Sequence, residues 1–267
     1  MYKKITALLL FGLFAYSCAT VPLSGRRQLS IVSNAEVLPL SYDQYGEVLK
    51  DSKILTTTRE GKQVVTVGRR IASAVEKYLE ETGHSEITDG FAWEFNLLES
   101  EQVNAWCMPG GKVAFYTGIL PVCQDETGIA VVMGHEVAHA IASHARERMS
   151  QGMVANGLLG GLQAAMGENP SLTQTIFLQA VGFGGQVGML KFSRDQELEA
   201  DQLGLIFMAI AGYDPREAPT FWERMNAQAS GERPPEFLST HPGPERRIDQ
   251  LNEQMDKAME YYQANRR

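Results

Sequence analysis

Positive charge is scarce in this chain: 267 residues carry 24 Lys and Arg against 32 Asp and Glu, a formal net charge of −8. An acidic balance of that size argues against nucleic acid as a partner and against a polybasic grip on anionic lipid. Cysteine is scarcer still. Only Cys18, Cys107 and Cys123 are present, so at most one disulfide can form. No internal repeat is visible, which removes the solenoid architectures. The apolar run Ile5–Ala15 is too short to cross a bilayer comfortably.

Against those absences stands one dense motif, His135-Glu136-Val137-Ala138-His139. On a helix, residues four apart lie one turn above each other, so the two imidazoles project from one face and can share a Zn²⁺ ion. Glu136 falls beside them, where it can take a proton from an attacking water. The flanks, Gly128 to Gly134 and Ala140 to Ala142, are almost wholly apolar. Two histidines and a glutamate on a buried helix are costly without a partner, which argues against ordinary core histidines.

Residues 1–17 read as a targeting segment and not as fold. Lys3 and Lys4 precede the apolar run, and Ala15-Tyr16-Ser17-Cys18 resembles the lipobox of bacterial lipoproteins. Cys18 would then carry lipid and become the mature N-terminus; a plain secretory signal with a chance cysteine is the alternative. Ala19, where retained lipoproteins carry aspartate, points by that resemblance to the outer membrane. Removal of Lys3 and Lys4 takes the net charge from −8 to −10, so membrane contact would come from the acyl anchor. The roughly 250 remaining residues suffice for one domain with a large core. In an exported protein Cys107 and Cys123, flanking a predicted hairpin, could be bridged.

The pattern predicts a tether over residues 18–33, then a domain over 34–267. Ser33-Asn34-Ala35-Glu36 starts a helix through about Asp51, and a second runs from about Thr58 to Glu81 on a Val64, Val67, Ile71, Ala74, Val75, Tyr78, Leu79 stripe. Strands are expected over Phe91–Leu98, Asn104–Met108 and Val113–Thr117, with Pro109-Gly110-Gly111 as a turn. The motif helix should run from Asp125 to Met149, with later helices from Asp214 to Ala229 and Glu245 to Tyr262. The fold class is therefore α+β, mainly helical, with one small sheet beside the motif helix. Residues 150–190 are Gly-rich and apolar but punctuated by glutamines, which favours a helical flap that gates the cleft over a membrane hairpin.

A catalytic zinc takes three protein ligands and keeps one position open. Ala142 and Ala145 occupy the places where one metallopeptidase class carries Gly and His. His144 lies about 140° round the helix from His139 and cannot reach the same ion, leaving it a surface or second-layer role. The remaining candidate is Glu197, with Asp201 one turn on to orient a ligating imidazole; Glu199, on the far side, should face water.

Four motifs then occur in order: Asn104 to Gly111, His135 to His139, Glu197-Leu198-Glu199-Ala200-Asp201, and Ser239-Thr240-His241-Pro242 followed by Arg247-Ile248. Together they make the chain, over about Gly25 to Ile248, resemble zinc metallopeptidases of the group that includes HtpX, the mitochondrial Oma-type proteases and the CAAX prenyl endopeptidases. Among these it is most similar to the soluble periplasmic lipoprotein members. The resemblance implies a zincin-like (gluzincin) fold and one Zn²⁺ per chain, held by His135, His139 and Glu197. It implies Glu136 as general base, and Asp201 behind His135. Asn104 and Ala105 would lie on an edge strand that pairs with extended substrate. His241 and Arg247 would sit near the substrate carbonyl, where a donor or cation stabilises a developing oxyanion. It further implies an endopeptidase of the bacterial cell envelope, an outer-membrane lipoprotein facing the periplasm, acting on misfolded or damaged envelope proteins. A non-proteolytic holdase with a structural zinc and an integral-membrane protease are the rival readings. A structural zinc would need four closed ligands, and three are expected here.

Overall fold

The computed structural model describes residues 18–157, 170–181, 192–229, 235–241 and 244–266. The chain divides into two compact units, residues 1–40 with 143–190 and residues 41–142 with 191–267. The proposed signal segment, residues 1–17, lies outside the described residues, as do 158–169 and 182–191 of the Gly-rich stretch.

In the first unit, β1 (Cys18–Thr20) and β2 (Arg27–Leu29) pair antiparallel with Cys18 opposite Leu29. The turn between them closes through Gly25, whose φ of +75° is a conformation glycine adopts freely. Residues 18–33 are thus folded where the sequence suggested a tether. The reason is sequence-distant: Arg26 pairs with Glu147 at 2.9 Å, and the Ile31 and Val32 amides donate to Ser150 Oγ. Those partners lie on α5 (His144–Ala155), which packs with α6 (Pro170–Ala180) around Val32, Val37, Met149, Met153, Ile176 and Phe177. The helix α1 (Asn34–Lys50) begins where Glu36 accepts from the Ser33 amide and hydroxyl, as the capping pattern predicted.

The second unit starts its core with α2 (Arg59–Thr82). Thr58 caps it by accepting from the Gly61 amide, and Gly83 ends it at φ +75°. The predicted stripe is buried along its whole length, from Val64 to Leu79. Beside it lies a three-stranded sheet of β3 (Glu94–Leu98), β4 (Ala105–Met108) and β5 (Lys112–Tyr116), in the order β3-β5-β4. β3 runs parallel to β5 and β4 antiparallel to it, so the sheet is mixed and β4 is an edge. A short helix α3 (Leu120–Cys123) leads into α4 (Glu126–Ile141), capped by the Asp125 carboxylate.

Here α4 stops eight residues before the predicted end. Ser143 sits at φ +59°, a left-handed conformation that breaks the helical hydrogen-bond ladder, and α5 starts afresh at His144. α4 crosses α7 (Arg194–Ile210) very closely: a Cβ placed on Gly134 would lie 2.7 Å from the Gly204 carbonyl oxygen. α8 (Glu217–Ala229), the short α9 (Glu236–Thr240) and α10 (Pro244–Asn265) complete the unit, with α10 packed along α7. Among the described residues no helix is long and apolar enough to cross a membrane.

Candidate metal centre

Two helices and two short segments bring seven ionisable side chains together. α4 contributes His135, Glu136 and His139; α7, started by a reciprocal Ser193–Gln196 capping box, contributes Glu197 and Asp201. His241 follows α9 directly, and Arg247 lies in the first turn of α10. All seven are 5% exposed or less.

The donor atoms converge. His135 Nε2 lies 3.1 Å from His139 Nε2 and 3.2 Å from His241 Nδ1. Glu197 Oε1 lies 2.9 Å from His241 Nδ1 and 3.5 Å from His139 Nε2, while Glu197 Oε2 is 3.7 Å from His135 Nε2. Four donors at bond lengths near 2.1 Å around a tetrahedral ion stand about 3.4 Å apart, so this spacing fits zinc. The protonation pattern fits as well. His135 Nδ1 is 3.0 Å from Asp201 Oδ1, which places the ring proton on Nδ1 and leaves a lone pair on Nε2. Lone pairs crowded together in a dry site call for a cation.

The sequence reading brought three ligands to this point and kept a fourth position open. The structure brings His135, His139, Glu197 and His241 within 4.8 Å of one another. His241 therefore joins the three expected groups as a fourth that could hold a metal ion. Its ring is held between Phe237, stacked at 4.4 Å, and Phe192, stacked at 4.9 Å.

Burial sets the charges. It lowers the His135 pKa to about 4, with the Arg247 cation adding to the effect, so this imidazole stays neutral and able to ligate. Burial likewise raises Glu136 to about 7, partly offset by His241 and by the Cys107 amide, which donates to it. Glu136 Oε1 is buried without a hydrogen-bond partner among the described residues, 3.5 Å from His241 Nε2. Burial alone would raise Glu197 and Asp201, but His241 and Arg247 acting on the first, and Arg247 with His135 on the second, hold both below the usual carboxylate range.

Arg247 lies against two carboxylates of the cluster. Its Nε and Nη2 each donate to Asp201 at 2.6 Å, and Nη1 lies 2.7 Å from Glu197 Oε2. Nε and Nη2 are committed to Asp201, while Nη1, ion-paired with Glu197, makes no hydrogen bond among the described residues, so the guanidinium braces both carboxylates and keeps a donor at Nη1. Ala105 opens the edge strand, and Asn104 extends its pairing by accepting from the Tyr116 amide. The side-chain Oδ1 of Asn104 accepts from the Ala105 amide.

Three further expectations change. Cys107 and Cys123 are free thiols in different surroundings, Cys107 on β4 near Glu136 and Cys123 near Arg224 and Asp125, so no bridge joins them. Glu199 is buried and not solvent-facing, on a helix packed by α2, α4 and α10. His144 is outside the donor cluster, but the helix that carries His139 ends at Ile141, so the angular argument does not apply; His144 starts α5 and is buried there. Trp222, Phe237 and Phe192, which line the imidazoles and the guanidinium, carried no signal in the sequence beyond being aromatic.

The model of peptidase family M48 matches residues 67–255, a span containing every side chain of the centre. The mitochondrial metalloendopeptidase OMA1 of Schizosaccharomyces pombe is 32% identical over 240 residues, covering 89% of this chain and 66% of its own length. Its namesake in Saccharomyces cerevisiae is 30% identical over 276 residues, covering 98% and 77%. The beta-barrel assembly-enhancing protease of Escherichia coli K12 is 32% identical over 162 residues, covering 58% and 33%. The chain thus spans 66% and 77% of the two yeast relatives and 33% of the bacterial one. Family model, relatives and donor geometry agree, and the chain belongs to peptidase family M48.

Proposed function

We propose that this chain is a zinc-dependent endopeptidase, anchored as a lipoprotein in the bacterial cell envelope, that degrades misfolded or damaged envelope proteins. The observation that carries the enzymatic part is the buried donor set of His135, His139 and Glu197 directly beside the partnerless Glu136 Oε1. The relatives named as metalloendopeptidases and as a protease support it.

Zinc held there supplies a Lewis acid that polarises the scissile carbonyl and makes water more acidic. Glu136, raised to about 7 by burial, is suited to accept a proton near neutrality and return it to the leaving amine. The unpaired side of the edge strand β4 offers backbone groups for an extended substrate, whose pairing there depends little on sequence. The Cys107 amide, pointing at Glu136, fixes the carboxylate against that strand. Arg247 and Asp201 hold Glu197 and His135 in place.

The expected test is cleavage of an unfolded protein such as casein. Glu136→Gln should keep the fold and the zinc yet lose turnover by three orders of magnitude or more, roughly the scale of losing a catalytic group. Substantial residual cleavage would remove Glu136 from the mechanism. His241 favours one second reading, a closed structural site with four ligands. His241→Ala separates the two: a catalytic centre retains one zinc per chain, whereas a structural one releases it and unfolds. The anchoring part rests on Lys3, Lys4, the apolar run and Cys18, which is exposed on β1. Radiolabelled palmitate should enter the wild-type chain expressed in bacteria and not Cys18→Ser; equal labelling of both would refute the anchor.

A further inference from the structure

Arg247 carries its charge at 1% exposure, and a guanidinium so deeply buried needs partners to offset its lost hydration. Nε and Nη2 donate to Asp201, and Nη1 is ion-paired with Glu197 without a hydrogen bond. Trp222, on α8 and itself 1% exposed, lies against the same group: the Arg247 Cζ atom is 3.6 Å from the indole centroid. A cation pressed against the electron-rich face of tryptophan gains more than against the face of any other aromatic side chain. The same indole meets His135 edge-on at 5.9 Å and Phe237 at 5.8 Å, and Phe237 is the ring stacked on His241. Among the described residues, no other residue of α8 is in ring contact with the histidines of the cluster.

We propose that Trp222 is a positioning residue of the metal centre: by fixing the plane of Arg247 it sets the carboxylates of Glu197 and Asp201, and through Asp201 the ring of His135. The assignment rests on the zinc reading above. Among the described residues, Arg247 is the only cation shared by a donor carboxylate and by the carboxylate behind a donor imidazole, so tilting it disturbs two ligands at once. An apolar filler of similar volume would keep the core packed and lose that control.

Zinc affinity, measured on the whole purified chain by competition with a chromophoric chelator, tests this without any reference to turnover. Trp222→Phe keeps an aromatic face and should stay within a few-fold of wild type. Trp222→Leu should weaken zinc binding about tenfold or more, the usual scale for supports behind metal ligands. Because Trp222 acts through Arg247, adding Trp222→Leu to Arg247→Met should cost little beyond Arg247→Met alone. If Trp222→Leu lowers the melting temperature while zinc affinity stays at the wild-type value, or if the two losses multiply, Trp222 is core filling and the assignment falls.

Fluorinated tryptophan placed at position 222 preserves shape and weakens the cation contact, so it serves if the leucine variant fails to fold. Zinc affinity should fall stepwise with each added fluorine; indifference to fluorination overturns the assignment. A wild-type chain that binds no zinc in the same assay overturns the metal reading and this assignment with it. Normal wild-type binding with no response at position 222 overturns the assignment alone.

Discussion

At the scale of single residues, the centre holds two titratable groups that burial pushes in opposite directions. Glu136 is raised from 4.5 to about 7, so between those pH values the folded chain holds a proton that the unfolded chain has lost. Its contribution to stability therefore falls as pH rises through that window, and above it the metal-free fold carries a penalty of about 3 kcal/mol. His135 is lowered from 6.5 to about 4, so there the unfolded chain binds the extra proton and stability rises with pH across 4 to 6.5. Glu136→Gln removes the first effect and keeps the second. Chelated of metal, that variant should unfold at higher denaturant than wild type above pH 7, with the gap closing towards pH 4.5. A gap independent of pH would mean that Glu136 ionises at an ordinary value. Much of this centre could be read from sequence because its spacing is local: His135 with His139, and Glu197 with Asp201, each pair one helical turn apart. What could not be read was set by long-range packing. Glu199 is buried where its helical position suggested exposure, and Arg247 lies against Trp222 from another helix.

At the scale of elements, the metal centre exists because α4 and α7 approach each other through two glycines. A Cβ on Gly204 would lie 2.8 Å from both the Gly134 carbonyl carbon and the His135 amide nitrogen, and one on Gly134 would lie 2.7 Å from the Gly204 oxygen. The obstructing atoms are backbone, so they can yield only if the helices separate. Gly134→Ala and Gly204→Ala should each cost about 1–3 kcal/mol of stability, the range for overpacked cores. Each should also weaken zinc binding, because the crossing lies next to His135 and three residues from Asp201. Denaturant unfolding and chelator competition measure the two losses; a destabilised variant with undiminished zinc affinity would show that the crossing does not set ligand spacing. The helices themselves were plain in the sequence, α2 through its apolar stripe and α1 through its cap. The break after α4 was not, since Ser143 in a left-handed conformation is neither the glycine nor the proline that marks such a stop.

At the scale of the whole molecule, α+β architecture with dominant helices and a small mixed sheet follows from the periodicities. The division into two units does not. The first unit is assembled from residues 1–40 and 143–190, segments separated by more than a hundred positions, with no Pro- or Gly-rich linker at Ser143 to announce a boundary. Its hairpin depends on Arg26 meeting Glu147 and on Ser150 accepting two amides, pairings that no local pattern encodes. The chain as a whole is acidic, and the electrostatics of the centre are consequently a local affair of Arg247 and three imidazoles. The most direct measurement is zinc K-edge X-ray absorption on the purified full-length chain. The expected spectrum shows one zinc per chain with nitrogen and oxygen donors at about 2.0–2.2 Å and outer-shell scattering from imidazole rings, lost together with the metal in His139→Ala. A chain that retains no zinc, or a zinc surrounded by oxygen alone, would contradict a metal held by His135, His139 and Glu197.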